Sequence, residues 1–285
     1  MKTIRLAVIF AAGAVLAAVP SGAQDYQFNS GSPDGLIATA SRPDSTGRIE
    51  IESADDFIIA APTRLTHSTF TGLITGGATS ADIGNVRVEI YRVFPNDSNN
   101  PPDGRVTTRV NSPSDVALLS RDALTAGLHF HASALSGNFA AANSVLNGIN
   151  PIPGEFTGGE GPVTGVETLF DVSFDVPVDL PADHYFFVPQ VQVNNPNGEF
   201  MWLSAPKPIV PPGTPFTPDL QTWIRNGNLA PDWLRVGTDI THQGPFNGAF
   251  SLTGATTPTI PEPSSLLLLL SAGLPAIGTL RRRKA

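Results

Sequence analysis

Two histidines in an alternating segment are the first residues that could bind a metal. In His129-Phe130-His131 the imidazoles are two positions apart, so on a β-strand both would point to the same face. A zinc-type site needs at least one more protein ligand, and no Glu follows within the next several residues. His184 or His242 would have to supply that ligand from a distant part of the chain. We therefore interpret the pair as strand surface and predict no metal site.

Oxygen-rich segments suggest a second kind of metal chemistry. Residues 96–100, Asn-Asp-Ser-Asn-Asn, and the following Asp103 carry the hard oxygen ligands that calcium binds. Their spacing matches neither an EF-hand nor an RTX repeat, and Asn and Asp are common in ordinary loops. Asp55 and Asp56 could bind calcium at a sandwich edge, or form a charged pair at a strand entrance. We predict no cofactor and keep Ca²⁺ as an alternative.

Three tryptophans, Trp202, Trp223 and Trp233, lie in one third of the chain. Exposed indoles stack on the apolar CH faces of sugars, so three of them with polar neighbours such as Asp219 and Asp232 could form a glycan platform. Tryptophans in β-sandwiches also serve as core or loop anchors. We name the three as contact residues for carbohydrate, should the chain bind it.

Signals for catalysis are nearly absent. The chain has no Cys, which excludes a thiol nucleophile, thiolate metal ligands and a disulfide framework. It has no Gly-x-Ser-x-Gly elbow, phosphate-binding loop or His-Glu-x-x-His motif. The paired carboxylates of glycoside hydrolases are defined by distance in space, so a secreted glycan hydrolase stays an alternative. We predict no catalytic residue.

Charge and composition limit the possible ligands and the fold class. The N-terminal segment holds two of the 17 basic residues and the C-terminal tail holds four, while Glu262 is the only acid in either; residues 24–260 thus carry 11 basic and 24 acidic residues, a formal charge of −13. Such a surface repels phosphates, which excludes nucleic-acid binding, and suits neutral sugars or divalent cations. With 27 Gly and 27 Pro, the chain favours many short strands joined by turns.

Alternation of apolar and polar residues predicts strands in most of the chain. The segments are 48–53, 56–60, 65–74, 86–94, 169–178, 184–193, 199–204 and 249–253. In 86–94 the residues Val86, Val88 and Ile90 face opposite to Arg87, Glu89 and Tyr91. In 169–178 the inward residues are Phe170, Val172, Phe174 and Val176. Residues 115–126 and 140–146 could form short helices, although neither has a long apolar stripe.

Long loops at residues 95–104, 148–161 and 206–218 separate these strands. The pattern predicts an all-β fold, an antiparallel β-sandwich over residues 24–254. Ala54-Asp55-Asp56-Phe57 and the final strand segment 249–254 resemble the first and last strands of jelly-roll modules in exported bacterial proteins. This resemblance implies a jelly-roll-like topology. Residues 255–260, which contain Pro258, are predicted to be a linker.

The N-terminus has the features of a secretory signal peptide. Lys2 and Arg5 precede an apolar run over residues 6–19, and small residues end it. This pattern predicts cleavage between Ala23 and Gln24, so that residues 1–23 are removed. The apolar run is short for a membrane span, which needs roughly 20 residues.

The C-terminus carries a second apolar segment, residues 264–280, which is followed by Arg281, Arg282, Arg283 and Lys284. As a helix its seventeen residues would extend roughly 25 Å, the lower limit for crossing a membrane. A basic cluster stays on the cytoplasmic side and acts as a stop signal. We therefore predict a transmembrane helix that leaves everything before residue 264 outside the cytoplasm.

Pro261-Glu262-Pro263 stands directly before this segment, and the order of motif, apolar helix and basic tail over residues 261–285 resembles the PEP-CTERM sorting signal. The resemblance implies a Gram-negative bacterium that makes exopolysaccharide. It also implies processing by an exosortase, for which Pro261, Glu262 and Pro263 are recognition residues, in addition to the signal peptidase that the N-terminal pattern predicts. Two prolines keep such a segment extended and accessible to a protease.

These observations predict an exported, non-enzymatic protein of the cell surface or extracellular matrix. An association with exopolysaccharide is implied by its sorting class alone. Before processing it would be held in the inner membrane by its C-terminal helix. The alternatives are a carbohydrate-binding module and a secreted glycan hydrolase.

Overall fold

Apolar residues that alternate with polar ones build an all-β structure with two sheets. A computed structural model describes residues 23–149, 153, 155–206 and 221–257. Gln24–Thr257 form one compact unit, and no helix in the described part is long and apolar enough to span a membrane. The predicted signal peptide up to residue 22, the Pro-Glu-Pro motif, the apolar segment 264–280 and the basic cluster lie outside the described residues.

The strands of the larger sheet are β1 (Asp25–Asn29), β2 (Ile37–Ala40), β4 (Thr63–Ile74), β7 (Leu128–Ala141), β8 (Asn143–Val145), β9 (Val163–Leu180), β11 (Phe200–Ala205), β14 (Asn247–Gly248) and β15 (Phe250–Thr256). Those of the smaller sheet are β3 (Ile51–Ile59), β5 (Ile83–Arg92), β6 (Leu119–Asp122), β10 (Asp183–Val193), β12 (Trp223–Asn226) and β13 (Leu234–Arg235). A 3-10 turn at Ser80–Asp82 and a π-helical turn at Val236–Ile240 complete the described elements.

Strand order in the larger sheet is β1-β15-β4-β11-β2-β8, with β9 paired to β4, β7 paired to β9 and β14 paired to β11. In the smaller sheet the order is β13-β12-β3-β10-β5-β6. All of these pairs are antiparallel except β2 with β8. The chain changes sheet at each step from β3 to β5 and from β9 to β11, so the inner faces of both sheets share one core.

Aromatic rings fill this core. Phe70 and Phe170 of the larger sheet stack with ring centroids 4.8 Å apart. Phe187 of the smaller sheet stacks on Phe250 of the larger one, also at 4.8 Å. All four side chains are buried. Each buried aromatic side chain removes roughly 150–250 Å² from water, so these contacts hold the two sheets together.

The expectation of an all-β fold is confirmed, and most predicted strands occur with shifted ends. The segment 86–94 corresponds to β5, and 184–193 corresponds to β10. The two short segments 48–53 and 56–60 fall largely in one continuous strand, β3. Alternation located the strands but could not show that Ala54 and Asp55, between the two predicted segments, continue the strand.

In β9 the predicted inward set is confirmed as far as Phe174 but wrong for Val176, which is 60% exposed. The ladder between β4 and β9 changes register here, so that residues 174–177 lie opposite Thr66 alone. Such a bulge reverses the alternation locally, and Val178 is buried again beyond it.

The two predicted helices are wrong. Residues 119–122 form strand β6, and residues 140–146 contain the end of β7 and the whole of β8. Neither segment has an apolar stripe that a helix could bury. Pairing of β6 with β5 and of β8 with β2 supplies the backbone hydrogen bonds instead.

The first and last strands of the compact unit are neighbours. Asp25 in β1 pairs with Ala255 in β15, and the Gln24 N–H donates to Thr256 Oγ1 at 2.9 Å. The Thr256 N–H in turn donates to the Gln24 carbonyl at 2.8 Å. Ala255 and Thr256, which we expected in a linker, therefore belong to a strand.

Candidate ligand-binding face of the larger sheet

Polar side chains form two registered rows across five adjacent strands on the outer face of the larger sheet, which we call the polar face. The strands are β1, β15, β4, β9 and β7. The first row is Gln27, Thr253, His67, Ser173 and His129. The second row is Asn29, Ser251, Thr69, Asp171 and His131. Strand alternation alone places these residues outward, since their neighbours in sequence fill the core.

Histidine–carboxylate contacts connect strands β4, β7 and β9 on the polar face. His67 Nε2 lies 3.2 Å from Asp171 Oδ1, and His129 Nδ1 contacts Asp175. His129 and His131 do point to the same exposed face, as their spacing predicted. His184, named as a distant third ligand, lies buried beside Asp56 on the smaller sheet. Within the described residues, no three His, Asp or Glu side chains are grouped closely enough to hold a metal ion.

A depression of about 340 Å³ adjoins the second row of the polar face. Its polar lining comes from Asn29, Thr69, Thr71, Glu167 and Ser251, and its apolar lining includes Pro33, Leu135 and Leu169. Thr69 Oγ1 and Ser251 Oγ hydrogen bond to each other at 2.7 Å across neighbouring strands. Small-ligand sites have volumes of roughly 300–1,000 Å³, so the depression matches the smallest of them.

Glu167 is the ionisable side chain in the lining of this depression, and it has no protein partner among the described residues. Among the described residues, nothing donates a hydrogen bond to its carboxylate and no cation pairs with it. Partial burial raises the pKa of Glu167 above its usual value. A partly desolvated carboxylate with no donor gains from any ligand that supplies hydroxyl or ammonium hydrogens.

The donor set of the depression fits a neutral or amino sugar. Hydroxyl groups of Thr69, Thr71 and Ser251 both donate and accept hydrogen bonds, the Asn29 amide does the same, and Glu167 accepts. Exposed Leu135 provides an apolar contact for sugar CH groups. An acidic glycan is disfavoured, because Glu167 and the net charge of the chain repel it.

The tryptophans do not contribute to such a surface. Trp202, Trp223 and Trp233 are 1%, 1% and 0% exposed. Trp202 lies in the core between the sheets and donates to the Ala249 carbonyl at 3.0 Å. Trp233 donates to the Ser114 carbonyl at 3.2 Å. The indole platform that the sequence offered as an alternative is therefore not formed, and the three buried rings serve as core and loop anchors.

A buried ionic cluster lies beneath Trp233, on the outer side of the smaller sheet. It comprises Glu52, Glu89, Tyr91 and Arg225, which project from β3, β5 and β12. The Tyr91 hydroxyl is 2.5 Å from Glu52 Oε1 and 3.2 Å from Glu89 Oε2. Arg225 pairs with Glu52 through Nε and lies 4.3 Å from the centroid of Trp233.

Burial of this cluster changes the pKa of Glu89. Burial, reinforced by the negative charge of Glu52, raises the pKa of Glu89 to about 7. A carboxyl with a raised pKa beside an ionised one is the arrangement of a glycosidase pair. Glu52 and Glu89 are only 3% and 8% exposed, so a polysaccharide cannot reach them in this conformation. The cluster holds the outer side of the smaller sheet to its covering loops.

Arginines pair with carboxylates of the acidic loop that the sequence offered as a calcium-binding alternative. Asp97 pairs with Arg92 and Asp103 pairs with Arg105. The neighbouring Asp115 accepts the Asn99 and Asn100 backbone N–H groups at 3.0 and 3.1 Å. The loop thus has internal partners for its carboxylates.

Asp55 and Asp56 cannot share one ion, because they project from opposite sides of β3. Asp55 is 1% exposed in the interior and accepts the Gly248 N–H at 2.6 Å. Burial, and after it the charge of Asp56, raise the pKa of Asp55 well above its usual value. Asp56 contacts His184 Nε2 at 3.1 Å on the other side of the strand. A calcium site built on this pair is excluded by strand geometry.

Sequence reasoning missed both the depression and the ionic cluster. The depression joins residues more than 200 positions apart, such as Asn29 and Ser251, through cross-strand register. The outward direction of Glu89 and Tyr91 was predicted, but their burial was not. It depends on loops that fold over the sheet, and no periodic pattern marks such loops.

No known protein-family model matches this chain, and a search of curated proteins found no similar protein.

Proposed function

We propose that the chain is an exported, non-enzymatic protein of the cell surface or extracellular matrix, delivered through a PEP-CTERM tail. The observation that carries this proposal is the order of three C-terminal sequence segments, which are Pro261-Glu262-Pro263, the apolar segment 264–280 and the basic cluster. The same chain also begins with a signal-peptide pattern. Signal peptidase and an exosortase are the processing enzymes in this proposal. Exopolysaccharide is the surrounding material.

The start of the first strand supports the proposed cleavage before Gln24. β1 begins at Asp25, and the Gln24 N–H and carbonyl both bond to Thr256. Removal of residues 1–23 therefore leaves β1 complete. Cleavage a few residues later would remove its pairing with β15, which is why the site before Gln24 is compatible with the fold.

A jelly-roll-like topology is part of the same proposal. The support is the repeated change of sheet between consecutive strands from β3 to β5 and from β9 to β11, together with the pairing of the first and last strands. Exported binding and matrix modules often use such sandwiches, because their faces and loops can vary without changing the core.

The sorting proposal is tested by substitutions in the motif. We expect Pro261→Ala and Glu262→Ala to leave the chain uncut in the membrane fraction, while Pro258→Ala, outside the motif, is processed normally. Mass spectrometry of the released protein should show Gln24 as the first residue. If the two motif variants are cut and released like the wild type, the tail is only an anchor and the proposal fails.

The depression beside the polar face favours a second candidate function, that of a carbohydrate-binding module. Its basis is the unpartnered Glu167 carboxylate among hydroxyl and amide groups. On a glycan array we expect binding of neutral or amino sugars that is reduced at least tenfold by Glu167→Gln and by Thr71→Ala. Glu155→Gln, an equal charge change on an exposed loop, should bind like the wild type. Absence of binding to every neutral and amino glycan would exclude this function.

A further inference from the structure

The outermost strand of the larger sheet, β7, has one unpaired side. It is 14 residues long, and among the described strands it pairs with β9 alone. Among the described residues, no backbone hydrogen bond reaches Leu128–Ala134 from any other element. In an antiparallel edge strand every second residue directs its N–H and C=O away from the sheet. These groups are therefore available to another extended strand.

Nothing in β7 protects this edge. Residues 128–141 contain no Asp, Glu, Lys, Arg or Pro, the residues that usually prevent edge pairing. Its register against β9 is regular from Leu128 to Ala134, and the irregularities begin only after Ala134. Seven consecutive residues thus form a regular edge without Asp, Glu, Lys or Arg.

The other sheet ends in the described part of the chain are shorter. β1 has five residues and includes Asp25, and β6 has four and includes Arg121 and Asp122. β8 has three residues, while β13 and β14 have two each. Shortness and charge both discourage pairing of these strands. β7 is therefore the edge best suited to pairing between molecules.

We propose that β7 pairs with β7 of a second copy of this chain, antiparallel about a twofold axis, so that the larger sheets of two molecules become continuous. A second copy fits because it offers an equally long and free strand, and because no Asp, Glu, Lys or Arg of either copy meets another in the new ladder. The twofold axis passes through His131, which is the middle residue of the regular segment. Phe130 and Ala132, packed against the core on the inner side, come opposite each other across the axis.

This arrangement fixes distances that can be tested. The two His131 residues are directly opposite, with Cα atoms about 4.5–5.5 Å apart. A disulfide requires Cα atoms about 4.4–6.8 Å apart, so Cys at this position can link the two copies. Ser173 on β9 faces the same side, but three strand spacings separate β9 from β9 of the other copy, so the two Ser173 residues are more than about 14 Å apart.

The experiment uses the full chain, which has no Cys of its own, so a single introduced Cys reports only its own position. We expect His131→Cys to form a disulfide-linked dimer under mild oxidation, and Ser173→Cys to stay monomeric on a non-reducing gel. Adding Ser133→Lys to the His131→Cys variant should reduce the dimer at least tenfold. Adding Thr253→Lys, the same charge change on an interior strand, should leave it unchanged.

Equal crosslinking at positions 131 and 173, or none at 131, overturns the proposal. If the Cys variant fails to fold, hydrogen exchange on the wild type replaces it. The backbone amides of residues 128–134 that point away from β9 should exchange at least tenfold more slowly at high than at low protein concentration, and exchange of these amides that is independent of concentration also overturns the proposal.

Discussion

Glu89 makes the stability of this protein depend on pH in a direction opposite to that of most carboxylates. Burial, and then the charge of Glu52, raise its pKa to about 7 from an ordinary value of 4.5. Between these two values the folded protein binds the Glu89 proton and the unfolded chain does not. The stabilising contribution is therefore fully present below about pH 4.5 and is lost as the pH rises through about 7. At about 1.4 kcal/mol for each pKa unit, the loss is about 3 kcal/mol.

The substitution that isolates this effect is Glu89→Gln, which keeps the size of the side chain and removes its titration. We expect the free energy of unfolding in urea to fall between pH 5 and pH 8 by about 2.5 kcal/mol less in this variant than in the wild type, because a small part of the effect is already lost below pH 5. Other buried acids titrate in both proteins, so the comparison between the two removes their contribution. Glu155→Gln, on an exposed loop, is the matched control and should follow the wild type.

Two results would refute this reasoning. The first is a wild-type stability that rises from pH 5 to pH 8 relative to Glu89→Gln, since this would mean that the ionised form is the one stabilised by folding. The second is an equal pH dependence in the two proteins, which would mean that Glu89 is hydrated and titrates as in the unfolded chain.

Two further substitutions test the packing around the ionic cluster and the core, each measured by urea unfolding against a control. Arg225→Met leaves its carboxylate partner charged and buried, so we expect a loss of about 3–5 kcal/mol, while Arg64→Met breaks an exposed pair with little effect. Gly72→Ala would place a Cβ 2.3 Å from the Phe200 ring and should cost about 1–3 kcal/mol, whereas Gly137→Ala meets no atom within 4 Å and should be neutral. Loss in both members of a pair, or in neither, would contradict the respective argument.

The part of the fold that could be predicted from the sequence is the part governed by strict alternation. β5 and β10 follow directly from apolar residues at every second position, because one face of each strand must be buried. β7 was predicted only at His129-Phe130-His131, because much of the strand is exposed on both sides and lacks a clear pattern. The bulge that exposes Val176 depends on the partner strand and leaves no local signal.

The residues of the candidate site could not be identified from the sequence. The tryptophans were candidates for stacking on sugars, yet their large apolar surface favours the interior, where Trp202 lies. Glu167 has no distinctive neighbours in sequence, and only register brings Thr69 and Ser251 beside it. The ionic partnership of Glu52 with Arg225 spans 173 positions. Contacts over such separations require the fold to be known first.

The position of the last strand has a mechanical consequence. β15 runs between β1 and β4 inside the sheet, with a ladder of hydrogen bonds on each side. A pull applied to the chain after Thr257 is transmitted to this interior strand, and withdrawing it requires both ladders to rupture together. A protein held by its carboxyl end and dragged by flowing liquid or by a moving polymer would thus resist tension through the middle of its sheet.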